Sequence, residues 1–161
     1  MKLRGFTIVE LIIIITIMGI LLTLGVVNLS SSQASARDAE RKGDLEGIAM
    51  YLETFYTSGS DNSLSRGRYP SIADMNSYDK QIKTLRDIDP RLLRAPGLNG
   101  SNNITSLTAS PPNYNTREYF YTPMTSLPDL CETVDEICTH FILTSYGETN
   151  PIGITVSSKN Q

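Results

Sequence analysis

One histidine, His140, is the whole imidazole complement of these 161 residues. It lies inside a strand-like run, where a histidine is ordinarily structural. There is no Gly-x-Ser-x-Gly elbow and no phosphate-cradling glycine loop. Nucleophilic hydrolase and nucleotide-phosphate chemistry therefore have no motif to stand on, and neither a catalytic residue, a metal site nor a cofactor is expected. Asp87 and Asp89 look like turn and cap residues rather than an acid–base pair. Basic charge is also scarce. Of 14 Lys and Arg, two precede Phe6, which leaves 12 against 17 Asp and Glu and a formal balance of −5 from Phe6 onward. That balance argues against non-specific nucleic-acid binding, which depends on neutralising many phosphates. No proline occurs between Met1 and Arg68, so nothing there breaks a helix by removing an N–H.

What is present is one long apolar run. Phe6 to Val27 carries a single charge, Glu10, over 22 residues. As a helix at 1.5 Å per residue it reaches roughly 33 Å, enough for a hydrocarbon core of about 30 Å. Lys2 and Arg4 precede the run, and the stretch after it is uncharged until Arg37. The positive-inside rule then predicts a single-pass membrane protein with a cytoplasmic N-terminus and an extracytoplasmic remainder. Ala34-Ser35-Ala36 fits a small-residue signal cleavage site, but the apolar run is longer than the 7–15 residues such signals use. A secretory signal peptide is the alternative.

Helical character continues past the membrane. Leu45, Ile48, Ala49, Leu52, Phe55 and Tyr56 share one helical face. Asp38, Glu40, Arg41, Lys42, Asp44 and Glu46 lie before or between them, as on a solvated face. The expectation is one helix from about Phe6 to Thr57, apolar all round in its first half and amphipathic in its second. A Gly/Ser/Asn-rich loop follows Thr57. Short helices are expected at Tyr78–Arg86 after Ser77, and at Pro90–Arg94 with Asp89 as N-cap. Residues 95–115 are turn-rich. Strands are expected at Arg117–Thr122, Thr139–Tyr146 and Ile152–Val156. The predicted class is α+β, with a small antiparallel sheet laid on the helix's apolar face. No internal repeat occurs.

The segment Gly5-Phe6-Thr7-Ile8-Val9-Glu10, with basic residues before it and an apolar helix after it, closely resembles the prepilin signature of type IV pilins and type II secretion pseudopilins. The resemblance implies cleavage of the basic leader after Gly5 by a prepilin peptidase, N-methylation of Phe6, and a role for Glu10 in assembly. Gly19, Val26, Asn28, Leu29 and Arg68-Tyr69-Pro70 extend it, and it fades after about residue 70. Many pilins carry proline where Val27 stands. Gly19 and Gly25, each lowering helix propensity by about 1 kcal/mol, could soften this stretch instead. The implied organisation is a leader at 1–5, a transmembrane and assembly helix at 6–29, its amphipathic extension at 30–57 and an extracytoplasmic head at 58–161. The implied function is that of a structural subunit of a pilus or pseudopilus filament. Its partners would be other pilins, the inner-membrane assembly platform and membrane lipid. The alternative is a signal-anchored extracytoplasmic binding domain that does not polymerise, and a membrane-tethered hydrolase is a third reading.

Glu10 has two readings. A carboxylate in a first helical turn is favoured by the helix dipole, by perhaps 0.3–1 kcal/mol. It could equally attract the free amine that cleavage would create on a neighbouring subunit's Phe6. Cys131 and Cys138 flank a hairpin-like connection between strand candidates. They read as a disulfide in an exported head, with two unpaired thiols or a metal pair completed by His140 as alternatives. Lys80, Lys83, Arg86, Arg91 and Arg94 are interleaved with Asp79, Asp87 and Asp89. They read as a solvated face, with DNA or surface binding as the alternative.

Overall fold

The computed structural model describes residues 5–59, 66–98, 104–106, 117–126, 129–149 and 152–159. Residues 1–4 of the expected leader, most of the loop after Gly59 and most of the turn-rich stretch at 95–115 lie outside them.

Helix α1 spans Ile8–Ser58. Its 51 residues extend roughly 75 Å, and it is unbroken through position 27. It starts where Thr7, in extended conformation, accepts a hydrogen bond from Glu10 N, and ends at Gly59, whose φ of 72° suits a residue without Cβ. Among the described residues, its buried side chains all lie in its second half. Leu45, Ile48, Leu52 and Phe55 are buried, with Ala49 and Tyr56 packed partly buried beside them. This is the predicted stripe, and each fully buried side chain contributes about 1.5–3 kcal/mol.

Two short helices, α2 (Ile72–Met75) and α3 (Tyr78–Thr84), and a 3₁₀ turn at Pro90–Leu93 line the path from α1 to the sheet. Ser77 caps α3, and Asp89 caps the 3₁₀ turn by accepting from Arg91 N at 2.9 Å. Both caps are legible in the sequence, although α3 stops two residues short of the expected Arg86. Helix α2 was not anticipated. It is one turn long, held by a capping box between Ser71 and Asp74.

The sheet contains β1 (Thr105–Ser106), β2 (Phe120–Ser126), β3 (Asp129–Leu130), β4 (His140–Ser145) and β5 (Ile154–Ser157), in the order β1-β2-β4-β5. Strand β3 shares with β1 the edge of β2 that does not face β4. The main ladders β2–β4 and β4–β5 are antiparallel, as expected; β1 joins β2 in parallel over two residues. Strand β2 departs from prediction. It starts at Phe120 rather than Arg117 and runs through Pro123 to Ser126. Proline is tolerated because the Pro123 carbonyl points to the β3 side, where it accepts from Cys131 N at 2.9 Å. The missing N–H therefore falls on that short, irregular edge and not on the β4 ladder. Strands β4 and β5 carry Phe141, Leu143, Ile154 and Val156 toward the apolar stripe of α1.

Cys131 and Cys138 are joined in a disulfide, with Cα atoms 5.6 Å apart and both residues fully buried. This excludes the thiolate–histidine metal pair as an alternative. The disulfide ends also carry backbone bonds to the segment after the loop: Tyr69 N donates to Cys138 O at 2.8 Å, and Ile72 N to Cys131 O at 3.0 Å. The bridge thus fastens the helix-to-sheet connection as well as its own loop. Replacing Cys131 with Ser is expected to lower stability by roughly 2–3 kcal/mol by loop-closure arithmetic. Urea unfolding of the detergent-solubilised chain, followed by tyrosine fluorescence, measures this.

Candidate functional site

The sequence draws attention to the start of α1, and the geometry there is simple. Glu10 closes a capping box. Its Oε2 accepts from Thr7 N at 3.2 Å and from Thr7 Oγ1 at 3.1 Å, while its own N–H donates to Thr7 Oγ1 at 3.3 Å. Glu10 thus caps its own helix, in the first turn where the helix dipole also favours a carboxylate. Its Oε1 makes no hydrogen bond among the described residues, and the side chain is exposed. Gly5 and Phe6 precede the helix in non-helical backbone, with Phe6 76% exposed.

Beyond the cap, the side chains of Arg37 and Asp38 bond to described residues outside α1, and the first fully buried side chain among the helix's described residues is Arg41. From Ile8 to Leu29 its described large apolar side chains are 40–80% exposed. The two threonines in this stretch bond back to the helix backbone. Thr16 Oγ1 donates to the carbonyls of Ile12 and Ile13, and Thr23 Oγ1 to that of Ile20 at 2.7 Å. A hydroxyl satisfied this way can sit in hydrocarbon without an orphan donor. Beside Gly25, the side chains of Met18, Leu22, Val26 and Leu29 border an apolar groove of about 430 Å³. The helix is long and apolar enough to cross a membrane.

A second polar site, at the other end of the uncovered segment, is one the sequence reading missed. Arg41 was expected on the solvated face of α1; it is fully buried. Its Nη1 donates to Asp38 Oδ1 at 2.7 Å, and its Nη2 to Glu148 Oε1 at 2.8 Å and Pro96 O at 2.7 Å. Nε has no partner among the described residues. Arg37 grips Glu148 from outside, with Nε 2.8 Å from Oε1 and Nη2 2.6 Å from Oε2. Asp38 in turn accepts from Glu148 N, Thr149 N and Thr149 Oγ1. Gly97, at φ 81°, lets the 95–98 turn approach Arg37 closely. A signal for this existed: position 41 lies four residues before Leu45 and seven before Ile48, on the apolar stripe itself.

Hydrogen bonds from Arg37 and Arg41 hold the Glu148 carboxyl down at about 2. Burial works against ionisation of Asp38, but the Thr149 and Glu148 donors and the Arg41 charge outweigh it and bring Asp38 to about 2 as well. One turn along α1, Asp44 accepts from the Tyr119 hydroxyl. Burial first, and this hydrogen bond second, push the Tyr119 phenol well above its ordinary range. Burial also raises Asp44, against the stabilising Tyr119 donor.

The remaining sequence candidates are dispersed. His140 is half-buried in β4, its Nδ1 2.7 Å from Thr139 Oγ1. Lys80 Nζ donates to Ala73 O at 2.8 Å. Arg86 borders one groove, and Arg91 and Arg94 another. Among the described residues no three His, Cys, Asp or Glu gather as a metal cluster. Compared with protein-family models, curated proteins and solved structures, the chain matches none.

Glu148→Ala leaves the buried Arg41 guanidinium with Asp38 but without the second of its two carboxylate partners, and is expected to cost about 3–5 kcal/mol. Glu46→Ala removes an exposed 3.9 Å contact to Lys42, and should change stability by less than about 0.5 kcal/mol. Because Asp38 and Glu148 are depressed when folded, their contribution is complete above the ordinary carboxylate range and is lost as pH falls through it toward about 2. Urea midpoints compared at pH 7 and pH 3 should therefore drop for the parent chain and drop less for Glu148→Ala.

Proposed function

We propose that this chain is a type IV pilin-like subunit, stored in the membrane by the first half of α1 and polymerised extracytoplasmically through the same helix. The observation that carries the reading is the uncovered apolar half of α1, continuous with a second half built into a folded head. Leader, cleavage glycine, Phe6 and Glu10 fit the same reading. So does the internal satisfaction of Thr16 and Thr23, which suits both lipid and a bundle of neighbouring helices. In a fibre that surface would be covered by copies of itself, at about 25 cal/mol per Å² removed from water. Lys2 and Arg4 orient the head outward, and the disulfide accords with an oxidising compartment.

Glu10 has a defined part in this proposal. Its capping bonds to Thr7 occupy one carboxylate oxygen; the other is open to the Phe6 amine of an adjacent subunit. A pair of that kind gains strength in a low-dielectric helix bundle. The first test is the mature N-terminus: mass spectrometry of native protein is expected to find Phe6, methylated. A chain that starts at Met1 favours a signal-anchored domain, and one cut after Ala36 a secreted domain.

The second test separates charge from shape. Glu10→Val and Glu10→Gln should both yield processed, membrane-resident protein that enters sheared fibres poorly. Normal fibre yield from the Gln variant removes the ion pair as the cause. Normal yield from both removes the assembly role of Glu10.

A further inference from the structure

We propose that the disulfide loop of one copy of this chain docks into the groove beside Arg91 and Arg94 of a second copy, as a contact between heads. The inference rests on the fibre reading and specifies where the heads would meet.

The loop Cys131–Cys138 is unusually tied down for an exposed connection. The disulfide closes it, Glu136 Oε2 accepts from Glu132 N at 2.6 Å and Thr133 N at 2.9 Å, and Arg68 Nη1 donates to Val134 O at 3.1 Å. Ala73 N fastens Glu132 O from the other side. On this frame Val134 is 45% exposed and Ile137 63% exposed. The Glu132 and Asp135 carboxylates are exposed and make no hydrogen bond or ion pair among the described residues. Two aliphatic side chains, Val134 and Ile137, alternating with the unpaired acids Glu132 and Asp135 on a loop with little freedom left to lose, form a pre-ordered contact surface.

The complementary surface is on the same molecule. Exposed Arg91 and Arg94 make no ion pair among the described residues, and they border an open groove of about 420 Å³ with Pro96 and Leu98 on its apolar side and Glu40 at its rim. Acids and aliphatics on the loop thus meet arginines and apolar surface in the groove, with Glu40 a like-charged residue on its lining. Electrostatic complementarity of this kind fixes register as well as attraction.

The two surfaces are at different heights on α1. The loop is tied through Tyr69, which bonds Cys138 O and reaches Glu53, and the groove through Pro96 O, which Arg41 holds. Glu53 and Arg41 are 12 residues apart, or about 18 Å along the helix axis. One chain therefore cannot bring its own loop to its own groove. A surface that fits a different surface on the next copy is a heterologous contact, which propagates an open array rather than closing a dimer.

The test uses the full-length chain in its native membrane, with fibre yield and cross-linking read together. Asp135→Arg and Arg94→Glu should each lower sheared-fibre yield about tenfold, and the double reversal should recover most of it. Thiol protection of Cys131 and Cys138 in these variants reports that the head is folded. Separately, a chain carrying both Asp135→Cys and Arg94→Cys should give a ladder of disulfide-linked multimers on oxidation of fibres. Each single cysteine variant alone should give none. Normal fibre yield from both reversals with no ladder overturns the contact and leaves the fibre reading standing. Dimers from Asp135→Cys alone overturn it by showing a symmetric contact. Absence of fibres from the parent chain overturns the fibre reading, and this contact with it.

Discussion

Among the described residues, none outside α1 covers its apolar surface between Ile8 and Leu29, and the rest of the described molecule is arranged around that fact. An isolated helix of this length, rich in β-branched residues, is marginal in water. Exposed apolar area on this scale drives association or insertion. Lipid is one environment that meets the requirement and a bundle of identical helices is another. The helix backbone is satisfied in either, because its hydrogen bonds are internal and its two threonine hydroxyls bond back to carbonyls.

The second half of the same helix solves a different problem. It must end the uncovered segment at a defined point and hold a head there. The apolar stripe from Leu45 to Phe55 supplies burial, but burial is non-directional and does not fix where the head begins. The ion cluster around Arg41 does. Two carboxylates and one backbone carbonyl converge on one guanidinium, so the 95–98 turn and the Gly147–Thr149 loop are both fixed against the same turn of α1. Buried ion pairs are weak sources of net stability yet expensive to break on one side. That asymmetry suits a junction whose role is position.

At the far end, the disulfide and its backbone bonds join three segments that are distant in sequence: Tyr69–Ile72, the edge of β2 and the start of β4. Edge strands leave unpaired backbone groups that invite association. Here the edge of β2 is shared by two-residue strands, one of them bulged, so little regular edge is left on offer there. What the head does present is localised: a rigid acidic and aliphatic loop, and an arginine-lined groove about 18 Å lower along the helix.

The sequence by itself determined the spine of this protein. An apolar run without proline, followed by a stripe at helical spacing, permits little besides one long helix, and the Ser77 and Asp89 caps and the alternating strand cores were legible for the same reason: each depends on contacts within a few residues. Gly5, Phe6 and Glu10 form a linear motif, and in the fold Glu10 closes a capping box with Thr7. Tertiary structure decided what depends on distant partners. Arg41 reads as a solvated charge until Glu148, 107 residues away, arrives to neutralise it. Pro123 reads as the end of a strand until the edge it faces proves too short to need its N–H. Strands of two residues, β1 and β3, carry no periodicity of their own and exist only because β2 offers them an edge. Local patterning fixes what a segment can become. Desolvated charge, unpaired backbone and strand edges are resolved only by whichever neighbour the fold brings to them.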